Sequence, residues 1–228
     1  AASDVYKRQG AIELKNLTFA YQPNRPILSG VSISIPAGQF TLISGNTGSG
    51  KSTLLRVIEA KVPGVGFVSQ FPRASFLGST VFDELAFALI QQDVSSEDVK
   101  TRVNELASKF NLDTKANPLE LSAGWQQRVA IAAALSSGAN ILLLDEPFSA
   151  LDDSGSRQLV ETLGTLKGAG VSVIVAEHRL ASIASLVDKC LSVSDGKVSE
   201  TKPHAQPLVS NISSGKVTAL VGENGCGK

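Results

Sequence analysis

Gly45-Asn46-Thr47-Gly48-Ser49-Gly50-Lys51-Ser52 decides the reading of this chain. The stretch fits the phosphate-binding pattern G-x-x-x-x-G-K-[ST]. Its glycines let successive backbone N–H groups turn inward on phosphate oxygens, and the helix that follows offers its positive end. Lys51 supplies a point charge to the outer phosphates, and Ser52 a hydroxyl for Mg²⁺. The pattern also needs a strand before it and a helix after it. The apolar run 41–44 and the segment 52–59 provide both. A glycine turn with a surface lysine is the bland alternative, and a partial second copy of the motif weighs against it.

That second copy lies at the far end, in Ser214-Gly215-Lys216-Val217 through Gly225-Cys226-Gly227-Lys228, matching 37–51 at a domain-length offset. It stops before the Ser or Thr that would complete it. The expected organisation is one domain over 11–200, a linker over 201–207 and the truncated start of a second domain over 208–228. Residues 1–9 contain Asp4-Val5-Tyr6-Lys7-Arg8-Gln9, which resembles the translation of a transposon-end adapter. With no methionine in the chain, they are set aside as a non-native scar, the alternative being a native polar tail.

Composition narrows the class. The chain has 228 residues, of which 43% are hydrophobic and 18% charged, enough for a packed core and too little charge for disorder. Twenty-one basic residues balance 21 acidic ones, so a nucleic-acid partner is not expected. Two cysteines cannot make a disulfide framework and fit a reducing compartment. The longest apolar runs, 129–135, 141–144 and 171–176, are far shorter than a membrane span requires.

The pattern within 11–200 is α/β. Runs 41–44, 66–69, 141–144 and 171–176 read as buried strands of a mainly parallel sheet. Residues 12–35 read as antiparallel strands, with Ile33 and Ile35 on one face and Ser32 and Ser34 on the other. A helix opens at Ser96, with Val99, Val103, Leu106 and Phe110 at helical spacing and Asp113 beyond its end. Another spans 123–135, with Ser122 placed to cap it. Run 141–144 delivers Asp145 and Glu146 at its C-terminal end, where ligands sit in open α/β sheets. Asp145 would hold Mg²⁺ through its outer shell, and Glu146 would orient or deprotonate a water.

Leu121-Ser122-Ala123-Gly124-Trp125-Gln126-Gln127-Arg128 precedes that strand by a short helix. In order and spacing these motifs resemble the nucleotide-binding domain of ABC ATPases over essentially all of 11–200. The segment 121–125 is similar to the L-S-G-G-Q signature, and Ser149-Ala150-Leu151-Asp152 to the D-loop. The resemblance implies a P-loop NTPase fold of the ABC type, a mainly parallel core sheet with an antiparallel β-subdomain and a helical subdomain. It implies ATP and Mg²⁺ as cofactors. ATP would be bound by Tyr21, stacked on adenine, and by Gly45, Asn46, Thr47, Gly48, Ser49, Gly50, Lys51, Ser52 and Thr53. Mg²⁺ would be held by Ser52, Gln70 and Asp145. Glu146, His178 and Gln70 would form the catalytic set, with His178 on the γ-phosphate. Ser122 and Gly124 would act in trans, closing over ATP held by the opposite domain. Without the resemblance, His178 reads as a satisfied core histidine. For Trp125, packing and function stay open.

Two departures stand out. The signature reads Ser-Ala-Gly-Trp, so the site it completes, the one built on 222–228, would be weakened. The interval from Lys51 to Gln70 is also much shorter than in the family, either as a natural compact form closed by Pro63-Gly64-Val65-Gly66 or through a lost segment. The compact form is favoured.

Phe71-Pro72 and the stretch from Ser79 to Leu89 resemble the energy-coupling factor branch, as does Val175-Ala176-Glu177-His178-Arg179-Leu180. That resemblance implies an ATPase on the cytoplasmic side of the membrane, peripheral, powering uptake of a vitamin or of cobalt or nickel. Its partners would be a transmembrane scaffold protein, a substrate-capture membrane protein and a second ABC domain in cis. Read bare, 81–89 is an amphipathic helix with Val81, Leu85 and Leu89 on one face. The rival function is a soluble tandem ABC ATPase acting on ribosomes. The short, barely charged junction and zero net charge disfavour it.

Overall fold

A computed structural model of the chain describes residues 11–178 and 183–201. Its centre is a six-stranded sheet in which alternate side chains feed two separate cores. Strands β1 (Ile12–Phe19) and β2 (Leu28–Ile35) pair antiparallel as a hairpin outside that sheet. Ile33 and Ile35 are buried while Ser32 and Ser34 are exposed, as the alternation requires. Then come β3 (Phe40–Ser44), α1 (Lys51–Lys61), β4 (Val65–Val68), α2 (Val81–Ile90), α3 (Ser96–Phe110) and α4 (Ala123–Ser136). They are followed by β5 (Ile141–Asp145), α5 (Asp153–Gly168), β6 (Ser172–Ala176), β7 (Lys189–Ser194) and β8 (Lys197–Thr201). The sheet order is β4-β5-β6-β3-β7-β8, parallel except for β8, which returns antiparallel on β7. Phe40, Leu42, Leu142, Leu144, Val173 and Val175 face the layer built from α2, α3, α4 and α5. Ile43, Ile141, Leu143, Ile174 and Ala176 face α1 and the hairpin. Continuous apolar runs in β5 and β6 follow from burial on both sides.

The helices form where capping and spacing agree. Thr80 and Asp83 make a reciprocal capping box at the start of α2. Val81, Leu85 and Leu89 are fully buried along one face, as the spacing predicts. In α3 the buried stripe is Val99, Val103, Ala107 and Phe110, with Leu106 only half-buried, because the stripe steps by four rather than three at that turn. Its end is set by Asn111, in the left-handed region at φ 54°, ahead of Asp113. Ser122 occupies the N-cap position of α4, yet its hydroxyl makes no capping hydrogen bond. The helix is started instead by the Ser122 carbonyl accepting from Gln126 N–H at 2.9 Å. Thr201, expected in the linker, is the last residue of β8 and pairs with Cys190. The scar at 1–9, the rest of the linker and the second copy at 208–228 lie outside the described residues.

The short interval after Lys51 runs from α1 to β4 through a tight turn. Val62 N–H caps α1 by donating to Ile58 O at 2.9 Å, and Gly64 turns the chain at φ 71°. The Gly64 carbonyl then accepts from Asn140 and Ile141 N–H at 3.2 and 3.3 Å, stitching the turn to the start of β5. Outside the main sheet, the antiparallel strands among the described residues are the β1–β2 hairpin. It leans on the β7–β8 turn through Ser29 N–H to Gly196 O at 2.8 Å.

Candidate nucleotide site

Register alone brings the chemistry to one edge. The C-terminal ends of β4, β5, β6 and β3 lie side by side, with Val68 opposite Leu144, Asp145 opposite Ala176 and Ala176 opposite Ile43. Gln70, the Asp145–Glu146 pair, His178 and the loop at 45–52 therefore all emerge on the same rim.

The loop leaves β3 at Gly45, whose φ of 147° and crowding demand glycine. A Cβ there would stand 2.4 Å from Val193 O. Gly48 and Gly50 also have positive φ, 79° and 107°. Ser49 N–H closes a turn on Asn46 O at 3.1 Å, while Asn46, Thr47 and Gly48 face solvent. Lys51 is only 5% exposed. Its ammonium donates to Gly45 O at 2.8 Å and Asn46 O at 3.1 Å, which holds it inside the loop it serves. The first helical hydrogen bond runs from Leu54 N–H to Gly50 O. The amides of Lys51, Ser52 and Thr53 are thus left to face a phosphate. Thr53 is buried, so its contribution there is backbone.

Two hydrogen bonds join the loop side to the carboxylate side. Ser52 Oγ donates to Asp145 Oδ1 at 3.0 Å, and Gln70 Nε2 donates to Glu146 Oε2 at 2.9 Å. Burial pushes the Asp145 carboxyl above its usual range, and the Glu146 charge adds to this. The Ser52 hydroxyl and the Lys51 and Arg56 charges oppose it. Glu146 sits in the left-handed region at φ 43°, held by its N–H to Ala176 O at 2.9 Å. A non-glycine residue held there costs about 1–3 kcal/mol. The site-bearing strand therefore turns sharply just where its second carboxylate is needed.

His178 is not a core residue. Its ring is 41% exposed, with Nδ1 3.1 Å from Oε1 of Glu177, a side chain that is 1% exposed. The same oxygen accepts His178 N–H at 2.8 Å. Engaging Nδ1 restrains the ring orientation. Glu177 was quoted in sequence only as part of a branch resemblance, and its orienting role is visible only once β6 ends beside β3.

Tyr21 lies in the β1–β2 connection, 64% exposed, edge-on to Phe19 at 5.0 Å. Ile27 of the same connection would be the nearest neighbour of a Cβ on Gly50, so this loop borders the phosphate loop. An aromatic ring so exposed and so placed is free to stack on a base. Ser122 and Gly124 stand apart. Helix α4 belongs to the layer opposite α1, and no hydrogen bond or ion pair among the described residues joins them to 45–52.

Beside the site runs a groove of about 480 Å³. Gln70, Phe71 and Pro72 form one wall and Leu119, Ala123 and Gln127 the other, with Pro147 and Leu151 between them. Phe71 is 63% exposed and Leu119 42%. Gln70, Phe71, Ala123 and Gln127 lie in stretches that the sequence singles out, whereas Leu119 carries no motif.

Residues 28–149 match the family described as ABC transporter. The chain is 36% identical over 224 residues to the energy-coupling factor transporter ATP-binding protein EcfA1 of Streptococcus pyogenes serotype M5 (strain Manfredo), covering 86% of this chain and 80% of that protein. The energy-coupling factor transporter ATP-binding protein EcfA of Streptococcus pyogenes matches with the same identity and coverage. Among solved structures, cbiO1 from Clostridium perfringens, described as part of the ABC transporter complex cbiONQ, has a TM-score of 0.77 at 22% identity. It covers 86% of this chain and 90% of that one. The last likeness establishes the fold. The chain belongs to the ABC transporter family and is an ATP-hydrolysing subunit of the ABC type. The relatives named here are transporter ATP-binding proteins, so a soluble ribosome-associated factor is not favoured. The alignment with EcfA1 is longer than the share of this chain it uses, so that relative carries residues this chain lacks within the matched span.

Proposed function

We propose that the chain is the ATPase of an energy-coupling-factor-type importer, driving uptake of a vitamin or a metal ion from the cytoplasmic face of the membrane. The observation that carries this is the pairing of Ser52 with Asp145 and of Gln70 with Glu146 on one rim, beside an apolar groove. Among the described residues no helix is long and apolar enough to cross a membrane. A peripheral subunit docked on a transmembrane scaffold protein accounts for both, with a separate membrane protein capturing the substrate.

Tyr21 stacks on adenine, and the amides of 45–53 with Lys51 hold the phosphates. The donor set fits Mg²⁺, which takes few protein ligands and shares phosphate oxygens: Ser52 Oγ and the Gln70 amide oxygen would hold it directly and Asp145 through its outer shell. When bound, the ion neutralises charge that develops on the phosphates. Glu146 accepts the proton of the attacking water, and His178, steadied by Glu177, contacts the γ-phosphate and helps hold the water and Glu146 in place. Ser122 and Gly124 close over the nucleotide of a second ABC domain, which the full protein would carry in cis. Closure and reopening of that pair move the scaffold.

A carboxyl raised above its usual range destabilises the fold at neutral pH, and the penalty lifts as pH falls through the raised value. Asp145→Asn is therefore expected to leave the nucleotide-free chain at least as stable as wild type at neutral pH. The same change should weaken Mg²⁺-dependent ATP binding about ten- to a hundredfold. Thermal melts with and without Mg²⁺ and ATP measure both. Undiminished stabilisation by the nucleotide would remove Asp145 from the metal site.

The groove supplies the test of the transport reading. Phe71→Asp with Leu119→Asp should cut association with the membrane scaffold about thirtyfold while ATP affinity stays at the wild-type value. Membrane association and uptake unaffected by both charges would sink the docking assignment.

A further inference from the structure

We propose that Arg128 and Gln158 are positioning residues that set the orientation of the signature segment, residues 122–124, against the body of the fold. This rests on the reading that the segment completes a nucleotide site on a partnering domain. The cap does not fix that orientation, since the Ser122 hydroxyl makes no capping bond. What fixes it is a seam between α4 and α5. Gly124 faces Gly155, where a Cβ on Gly124 would make ordinary van der Waals contact with the Gly155 Cα at 3.9 Å. One turn further on, Arg128 Nη2 donates to Gln158 Oε1 at 2.8 Å. Positions 124 and 128 share one helix face, as do 155 and 158.

The guanidinium of Arg128 also lies over the Trp125 ring, 4.6 Å from its centre. The tryptophan that replaces glutamine in the signature is thus held by a cation that α5 holds in turn. Arg128 and Gln158 also line a cleft of about 190 Å³ together with Lys109, Glu161 and Thr165. Arg128 to Gln158 is the one side-chain hydrogen bond between α4 and α5 among the described residues. Helix α5 is itself anchored to the site. Asp152, ending the segment that follows Glu146, caps it by accepting Gly155 N–H at 2.7 Å. The signature is therefore referred to the carboxylate strand through α5.

Trp125 is the only tryptophan of this chain, so quenching measured on this chain alone reads the seam, and turnover is measured on the chain assembled with its second nucleotide-binding domain and membrane partner. Gln158 is exposed, which keeps its replacement from disturbing the core. Gln158→Leu should increase acrylamide quenching of Trp125 and lower kcat about fivefold, with ATP affinity at the Lys51 site unchanged. Gln158→Glu, which keeps an acceptor for Arg128, should restore both. If Gln158→Leu leaves kcat at wild type while Gly124→Asp abolishes turnover, the positioning proposal is wrong and the trans reading stands. If Gly124→Asp also leaves turnover intact, the trans reading fails and takes the proposal with it.

Discussion

Glu146→Gln is expected to stop ATP turnover while leaving ATP bound. The substitution keeps the shape of the side chain and asks nothing new of the backbone, which already stands at φ 43°. An amide oxygen can still accept the hydrogen bond that Gln70 now gives the carboxylate at 2.9 Å. What disappears is the basic oxygen that takes the proton of the attacking water, and loss of a general base costs about a hundred- to ten-thousandfold. Lys51, Ser52 and the loop amides are untouched, so affinity for ATP should be preserved. Single-turnover hydrolysis on the chain assembled with a second nucleotide-binding domain measures the step directly. Near-wild-type single-turnover rates would remove Glu146 from the reaction.

Lys51→Ala should have the largest effect on binding. Its ammonium is enclosed by the loop, bonded to the carbonyls of Gly45 and Asn46. Removing it deletes a charge-assisted contact to the outer phosphates and the hydrogen bond that the Gly45 carbonyl accepts from the ammonium. Contacts of that kind contribute about 1.5–3 kcal/mol each. ATP affinity at this site should fall about a hundredfold or more, measured by calorimetry, while circular dichroism reports an intact sheet. Unchanged affinity at the first site would contradict the phosphate role.

Much of this was legible in the chain, for definite reasons. The loop at 45–52 was readable because glycine positions are dictated by backbone geometry, and Gly45 proves to have no room for a Cβ. Strands β3, β5 and β6 were readable because burial on both faces forces continuous apolar runs. Helix α5 and strands β7 and β8 went unmarked. Yet Leu159, Leu163 and Leu166 lie at helical spacing, and Asp195-Gly196 is a hairpin signal realised with φ 49° and 72°. The site divided similarly. Residues on the rim have motifs, whereas Glu177 beneath His178 and the Leu119 wall of the groove depend on which elements meet in space. The Arg128–Gln158 seam also depends on a packing angle that no local pattern encodes.

The compact link after Lys51 shows the same division. Sequence made it an anomaly, and the fold shows how Gly64 binds the start of β5 and lets α1 pass directly to β4.

The most direct test of the central claim is fractionation of the native cells, with ATPase activity followed through membrane, ribosomal and soluble fractions. The account expects the protein in the membrane fraction, bound to a multi-span protein, with activity lost in Glu146→Gln. Recovery with the ribosomes, or soluble activity indifferent to any membrane protein, would contradict it.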